Sequence, residues 1–189
     1  RSMKFSMKKV TVLLADGFEE IEALTVVDLL RRAKVYVDTV SITDDYTVRG
    51  AHGIPVQTED LITEIDFKES DMIVLPGGMP GTTNLKEDEN VRKAVQEAYD
   101  DGRYVAAICA APTILADMGL LKGKRATCYP DMESEIEDAY LTGAPVATDE
   151  NIITSQGVGT AIDFALKLIE VLISEEKAVE IADSIVYQR

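Results

Sequence analysis

The stretch Tyr104-Val-Ala-Ala-Ile-Cys-Ala-Ala-Pro-Thr-Ile-Leu-Ala116 decides the fold. Its first five residues form an apolar run, as a strand buried on both faces requires, and from Ala110 the chain reads as a helix with Pro112 in a tolerated early position. A strand running directly into a helix is the repeating unit of a parallel α/β sheet. The junction residue is Cys109. A thiol there stands among unpaired backbone N–H groups at the positive end of a helix dipole, and both favour the thiolate. Free cysteine also packs as a small hydrophobe, so a purely structural Cys109 is the competing reading.

The same alternation extends outward. Lys9–Leu14, Tyr36–Ile42 and Asp71–Leu75 read as further strands, and Glu19–Ala33, Val91–Asp101 and Ala110–Met118 as helices between several of them. The fold class is therefore α/β, with a mainly parallel sheet covered by helices on both faces. Tyr46–Gln57 and Ala144–Thr154 each hold two short extended pieces around a turn and read as β-hairpins added to that sheet. Helices return at Thr160–Ile173, where Thr160 and Asp163 have the spacing of a capping pair, and at Glu175–Ile185. Arg1-Ser2 before Met3 reads as an expression remnant. Residues 1–7 are expected to form a disordered tail, and residues 8–189 a single domain.

Composition narrows the function. Lys plus Arg number 19 against 34 Asp plus Glu, a formal charge of −15 that would repel a phosphate backbone, so nucleic acid is not an expected partner. No apolar stretch approaches the roughly 20 residues needed to span a bilayer. The first apolar run, Val10 to Ala15, is too short for a signal peptide, which predicts a soluble, cytoplasmic protein without a membrane partner. Cys109 and Cys128 lack disulfide-framework or metal-site spacing, and the single histidine, His52, excludes a histidine-rich metal site.

Placing the Glu19–Ala33 helix at 100° per residue gathers Phe18, Leu29, Ala33, Val26, Leu30, Ala23 and Val27 into one arc. Glu22 falls inside that arc. A carboxylate facing the sheet is costly unless paired or protonated. The alternative places Glu22 at the solvent end of the stripe, capping a loop. Both Glu22 and Cys109 follow strands whose carboxyl ends share one sheet edge, where ligands bind in parallel α/β folds. Leu75-Pro-Gly-Gly-Met-Pro-Gly-Thr-Thr-Asn84 lies on that edge too, and its glycines allow close backbone approach, although it matches no nucleotide fingerprint. Gly157-Val-Gly159-Thr160 reads as an anion site or as a simple helix start. His52 reads as a surface imidazole, Cys128 as a packing residue, and Lys86–Asn90 and Asp131–Asp138 as solvated helix faces.

Four segments in order, Ala15-Asp-Gly-Phe-Glu-Glu-Ile-Glu22, Leu75-Pro-Gly-Gly78, Ala107-Ile-Cys-Ala-Ala-Pro112 and Ser155-Gln-Gly-Val-Gly-Thr160, resemble the ThiJ/PfpI superfamily, and most of all its Parkinson-disease-protein branch. The resemblance covers the chain from Lys8 onward. It implies a flavodoxin-like homodimeric sandwich with Cys109 as a reactive cysteine on a strained nucleophile elbow and Glu22 as the acid bonded to it. It further implies oxyanion donors at the backbone N–H groups of Gly78 and Ala110, with Gly77, His52 and Tyr129 as possible pocket residues. Thiolate and carboxylate repel in contact, so the pair should share one proton, held by Glu22. The chain departs from the protease-like branch by having Ala110 rather than His after the cysteine, which argues against peptidase activity. It departs from the human-type branch by having Tyr129 where a His is expected, leaving Glu22, or else His52, as the base. The implied function is a glyoxalase III or protein deglycase acting on reactive dicarbonyls or glycated groups without metal or organic cofactor. The competing function is a redox-sensing or chaperone-like stress protein switched by Cys109 oxidation.

Overall fold

The computed structural model describes residues 7–188. The expectation for residues 1–7 therefore concerns positions that, apart from Met7, lie outside the described residues. The strands are β1 (Lys9–Leu14), β2 (Tyr36–Ser41), β3 (Thr47–Arg49), β4 (Pro55–Gln57), β5 (Asp60–Leu61), β6 (Met72–Leu75), β7 (Tyr104–Ile108), β8 (Arg125–Ala126), β9 (Tyr140–Leu141), β10 (Val146–Asp149) and β11 (Ile152–Ser155). The helices are α1 (Glu20–Arg32), α2 (Gly81–Glu87), α3 (Glu89–Asp100), α4 (Pro112–Asp117), α5 (Ala161–Leu172) and α6 (Glu175–Ser184).

Seven strands form one sheet in the order β10-β11-β7-β6-β1-β2-β5, parallel throughout except for β10 against β11. The central strands are buried on both faces, which is why β6 and β7 read as unbroken apolar runs. Val10, Val12, Val74 and Ile108 pack with Phe18, Val26, Leu30, Phe164 and Ile169 in one core layer under α1, α5 and α6. On the other face Leu13, Ile73, Leu75 and Ala107 pack with Leu85, Val91, Val95 and Ile114 under α2, α3 and α4. The result is a flavodoxin-like sandwich, and successive β-to-α turns at β1, β6 and β7 open onto the same edge.

Several details differ from the sequence reading. The hairpin at residues 46–57 forms as a separate two-stranded sheet, whereas the hairpin expected at residues 144–154 forms from β10 and β11 and is built into the main sheet by the parallel pairing of β11 with β7. The glycine-rich loop is shorter than expected because α2 begins at Gly81, where the small residues pack closely enough to start a turn. Residues 86–90 hold the α2–α3 junction, where Asp88 caps α3 by accepting from the Val91 N–H at 3.0 Å. Residues Pro130–Glu135 form a 3-10 turn rather than a helix face. Thr160 does not cap α5 through its side chain. Its hydroxyl instead accepts from the N–H groups of Gly157 at 3.0 Å and Gln156 at 3.2 Å, while Asp163 receives the Tyr187 hydroxyl.

Candidate active site around Cys109 and Glu22

The site begins where β1 and β6 end. After β6, Gly77 O accepts from the Glu19 N–H at 2.8 Å, and Gly17 O accepts from the Gly81 N–H at 3.1 Å. The two loops are thus stitched to each other, which fixes where α1 starts. Glu19 closes its first turn, its Oε2 accepting from the N–H groups of Ile21 at 2.5 Å and Glu22 at 3.2 Å. The reading of the helix missed this role, although an acidic residue directly before the apolar arc is an N-cap signal.

Glu22 is fully buried, so the solvent-end reading is overturned. Its Oε1 accepts from the Gly77 N–H at 3.0 Å. Gly77 must lack a side chain, since a Cβ there would lie 2.6 Å from Cys109 Cβ and 2.7 Å from Glu22 Oε1. Gly78 is required as well, with φ +91° and the Glu19 N only 2.5 Å from a would-be Cβ. The glycines therefore let bare backbone slide between the acid and the thiol's support.

Cys109 sits at the β7–α4 junction with φ 66°, a left-handed conformation that costs a non-glycine residue about 1–3 kcal/mol. Backbone bonds hold it there: its N–H donates to Ser155 O at 3.0 Å, and its carbonyl accepts from the Tyr129 N–H at 2.8 Å. The thiol remains partly exposed while Cys128 is buried in the core. The sulfur interacts directly with the Glu22 carboxyl and with the backbone N–H groups of Ala110 and Gly78. The candidate nucleophile, acid and oxyanion donors named from the sequence thus converge.

The electrostatics depart from expectation in direction. Burial first, then the charge and contact of Glu22, push the thiol up to about 12, while the Ala110 and Gly78 N–H groups pull it down without compensating. Helix α4 is only six residues long, so its dipole is too small to reverse this. Burial likewise pushes Glu22 up to about 7; the Cys109 contact and the Gly77 N–H oppose this, and the Glu19 charge adds to it. Glu22 Oε2 has no partner of regular hydrogen-bond geometry among the described residues. A buried, ionised carboxylate with a bare oxygen is costly, whereas a proton held between the carboxyl and the sulfur relieves that cost. One proton between the two groups is the state that this arrangement favours.

His52 does not reach the sulfur as a base. Its side chain is 71% exposed, and Nδ1 lies 3.1 Å from Glu20 Oε1 and 3.2 Å from Glu19 Oε1. The bond to Glu20 raises the imidazole. Burial works to raise the Glu20 carboxyl in turn, but backbone N–H groups and the imidazole outweigh it and hold the acid below its usual range. Glu19, Glu20 and His52 gather three metal-type ligand atoms within 4.8 Å, yet both carboxylates already accept from backbone N–H donors, and His52 Nδ1 lies against both. Tyr129 and Gly157 stand beside the pair: a Cβ on Gly157 would lie 3.8 Å from Tyr129 Cδ2 and 3.9 Å from Glu22 Oε2. Sequence alone reads Gly157 as part of an anion site or a helix start, not as a neighbour of Glu22.

With this geometry in view, the comparisons decide the family. The DJ-1/PfpI family model matches residues 8–171. The chain belongs to the DJ-1/PfpI family. It is 40% identical over 187 residues to Protein DJ-1 homolog B of Arabidopsis thaliana, covering 98% of this chain but 43% of that protein. It is 34% identical to the Glutathione-independent glyoxalase DJ-1 of Schizosaccharomyces pombe, covering 90% of this chain and 94% of the relative. The structure of oxidized Toxoplasma gondii DJ-1 superposes with a TM-score of 0.93 at 37% identity, over 96% of this chain and 100% of the other. The flavodoxin-like architecture is therefore that of the DJ-1 proteins. No helix among the described residues is long and apolar enough to cross a membrane.

The raised Glu22 carboxyl has a consequence for stability. The folded state holds the proton more tightly than the unfolded chain, so the stabilising effect of that proton is complete below the ordinary value of 4.5 and is lost as pH rises to about 7. Glu22→Gln keeps the acceptor for Gly77 and removes the charge. It should stabilise the protein at pH 8 by up to about 3 kcal/mol, and by almost nothing at pH 4.5, in parallel urea melts.

Proposed function

We propose that this DJ-1/PfpI protein is a cofactor-independent cysteine enzyme that converts small reactive dicarbonyls to hydroxy acids, a glyoxalase III or deglycase-type activity. The observation that carries this reading is the proximity of a partly exposed cysteine on a left-handed backbone to a fully buried carboxyl, which burial pushes up to about 7. The S. pombe relative's name as a glutathione-independent glyoxalase supports it.

In this mechanism Cys109 Sγ adds to the aldehyde carbon, and the proton shared with Glu22 passes to the new alkoxide, giving a hemithioacetal. The N–H groups of Gly78 and Ala110 hold the oxygen as charge develops. Glu22, now ionised, removes the hydrogen from that carbon and returns it to the neighbouring carbon through an enediol. The former ketone becomes an alcohol and the thiol-bearing carbon a thioester. Water then cleaves the C–S bond, releasing lactate from methylglyoxal and restoring the thiol, so the sum is dicarbonyl plus water with no external oxidant.

Methylglyoxal loss and lactate release by the purified protein test this. Wild type should turn over with a rate that rises through about pH 7, as the pair loses its first proton. Cys109→Ala should abolish turnover, and Glu22→Gln should lower it by about 100-fold or more. An inactive wild type, or an active Cys109→Ala, rejects the assignment.

A redox role has its own support, in the oxidized state of the T. gondii relative and in the contrast between the accessible Cys109 and the buried Cys128. Under peroxide, intact-mass and peptide analysis should place two added oxygens on Cys109 before any appear on Cys128. Equal or reversed order would dismiss it.

The assembly proposed is a homodimer. Ile21 and Leu24 of α1, Ile54 before β4 and Ile162 of α5 are all exposed and line one shared apolar cleft, a face suited to a second copy. Light scattering should give twice the chain mass, and Leu24→Glu should shift it to monomer; a monomeric wild type would refute the pairing.

A further inference from the structure

Asp38 is an acid inside the main sheet. It is 2% exposed on β2, on the same face as Val40, which packs with Leu13 and Ile62. Its partner in register on β1 is Thr11, whose hydroxyl is bonded to Ser70 Oγ at 2.6 Å. Asp38 Oδ1 has no hydrogen-bond partner among the described residues. Burying a carboxylate in that way is costly unless a cation or a proton comes to it.

No cation does. Among the described residues, none of the ion pairs includes Asp38 or Asp60. The charged groups acting on Asp38 are Asp60 of β5, Glu59 just before it and Lys9 of β1. Lys9 holds its ammonium 5.7 Å from the centre of the Tyr36 ring, and Arg31 engages Glu59 and the Val37 carbonyl. What meets Asp38 is a second acid. Asp60 stands in register with Val40, on the same face and one strand outward, and its half-buried carboxyl makes a side-chain hydrogen-bond contact with that of Asp38. Two carboxyl groups can bond only when one of them carries a proton. Burial first, then the contact and charge of Asp60 and the charge of Glu59, push Asp38 up to about 7 against the pull of Lys9.

We propose that Asp38 and Asp60 share one proton that latches β5 onto the sheet, and that losing it to solvent in mildly alkaline conditions sets two carboxylates against each other and loosens that edge. The element is suited to this, since β5 is two residues long and ends the sheet. Beside its pairing with Val40 and Ser41, it is held by the Glu59 N–H on Thr39 O at 3.0 Å and the Ile62 N–H on Ser41 O at 2.8 Å. Its release would bare those carbonyls as an unpaired sheet edge. The folded state holds the Asp38 proton more tightly than an unfolded chain with the ordinary value of 3.8, so the latch is complete in acid and is lost as pH rises through about 7. None of this depends on the chemistry at Cys109.

Amide exchange read by NMR and corrected for intrinsic rates tests the latch. Protection of the Glu59 and Ile62 N–H groups should fall about tenfold between pH 6 and pH 8.5. The Val12 amide of β1 is the reference, because it follows global stability and with it any effect of Glu22. Asp38→Asn supplies a permanent N–H donor to Asp60 and should keep that protection within about twofold across the same range. In wild type the carbon-13 shift of the Asp38 carboxyl should titrate near neutrality. Protection that does not change with pH in wild type, an Asp38 midpoint below about pH 5, or a tenfold fall retained in Asp38→Asn would each overturn the latch. Loss of protection at pH 6 on adding EDTA would mean that a metal ion rather than a proton joins the two acids, and would overturn it too.

Discussion

A carboxyl group buried without a cation, pressed against a thiol, is the constraint on which the rest of this structure depends. Left alone, Glu22 would be expelled to solvent or would disorder the first turn of α1. It stays because α1 packs on α5 through its apolar arc, because Glu19 closes the turn before it, and because the Gly77 N–H meets its one well-bonded oxygen. The carboxyl also meets the Cys109 thiol. Every surrounding feature follows from keeping those two groups in contact while one of them still faces outward.

That arrangement is destabilising, and the fold absorbs it. The left-handed Cys109 costs about 1–3 kcal/mol, and the unionised preference of Glu22 a comparable amount near neutral pH. Neither is offset locally. The compensation lies in two apolar layers flanking a sheet whose central strands are buried on both faces, where each large side chain contributes about 1.5–3 kcal/mol. Strain concentrated at one sheet edge and relief distributed through the core is the pattern expected when a protein keeps a reactive group poised.

Much of this was legible in the sequence because the relevant signals are periodic. Continuous apolar runs marked β1, β6 and β7, and the helical wheel placed Glu22 among buried residues with no knowledge of its partner. What escaped was set by contacts distant in the chain. The integration of β11 depends on its pairing with β7, which no local pattern encodes. Thr160 looks like a cap but spends its hydroxyl on Gln156 and Gly157. The dipole argument for a lowered thiol considered only the junction, whereas burial and Glu22 push the thiol upward once the chain is folded. Tyr129 and Gly157, 28 residues apart by number, reveal their proximity only in three dimensions.

The wall behind the acid and the sulfur is main chain, because Gly77 leaves no room for a side chain there. Point mutation can therefore do little to remodel the rear of this pocket; almost any replacement would pry the reactive groups apart. Changes that keep the chemistry are therefore left to the outer rim, where they would alter what the pocket admits rather than what it does.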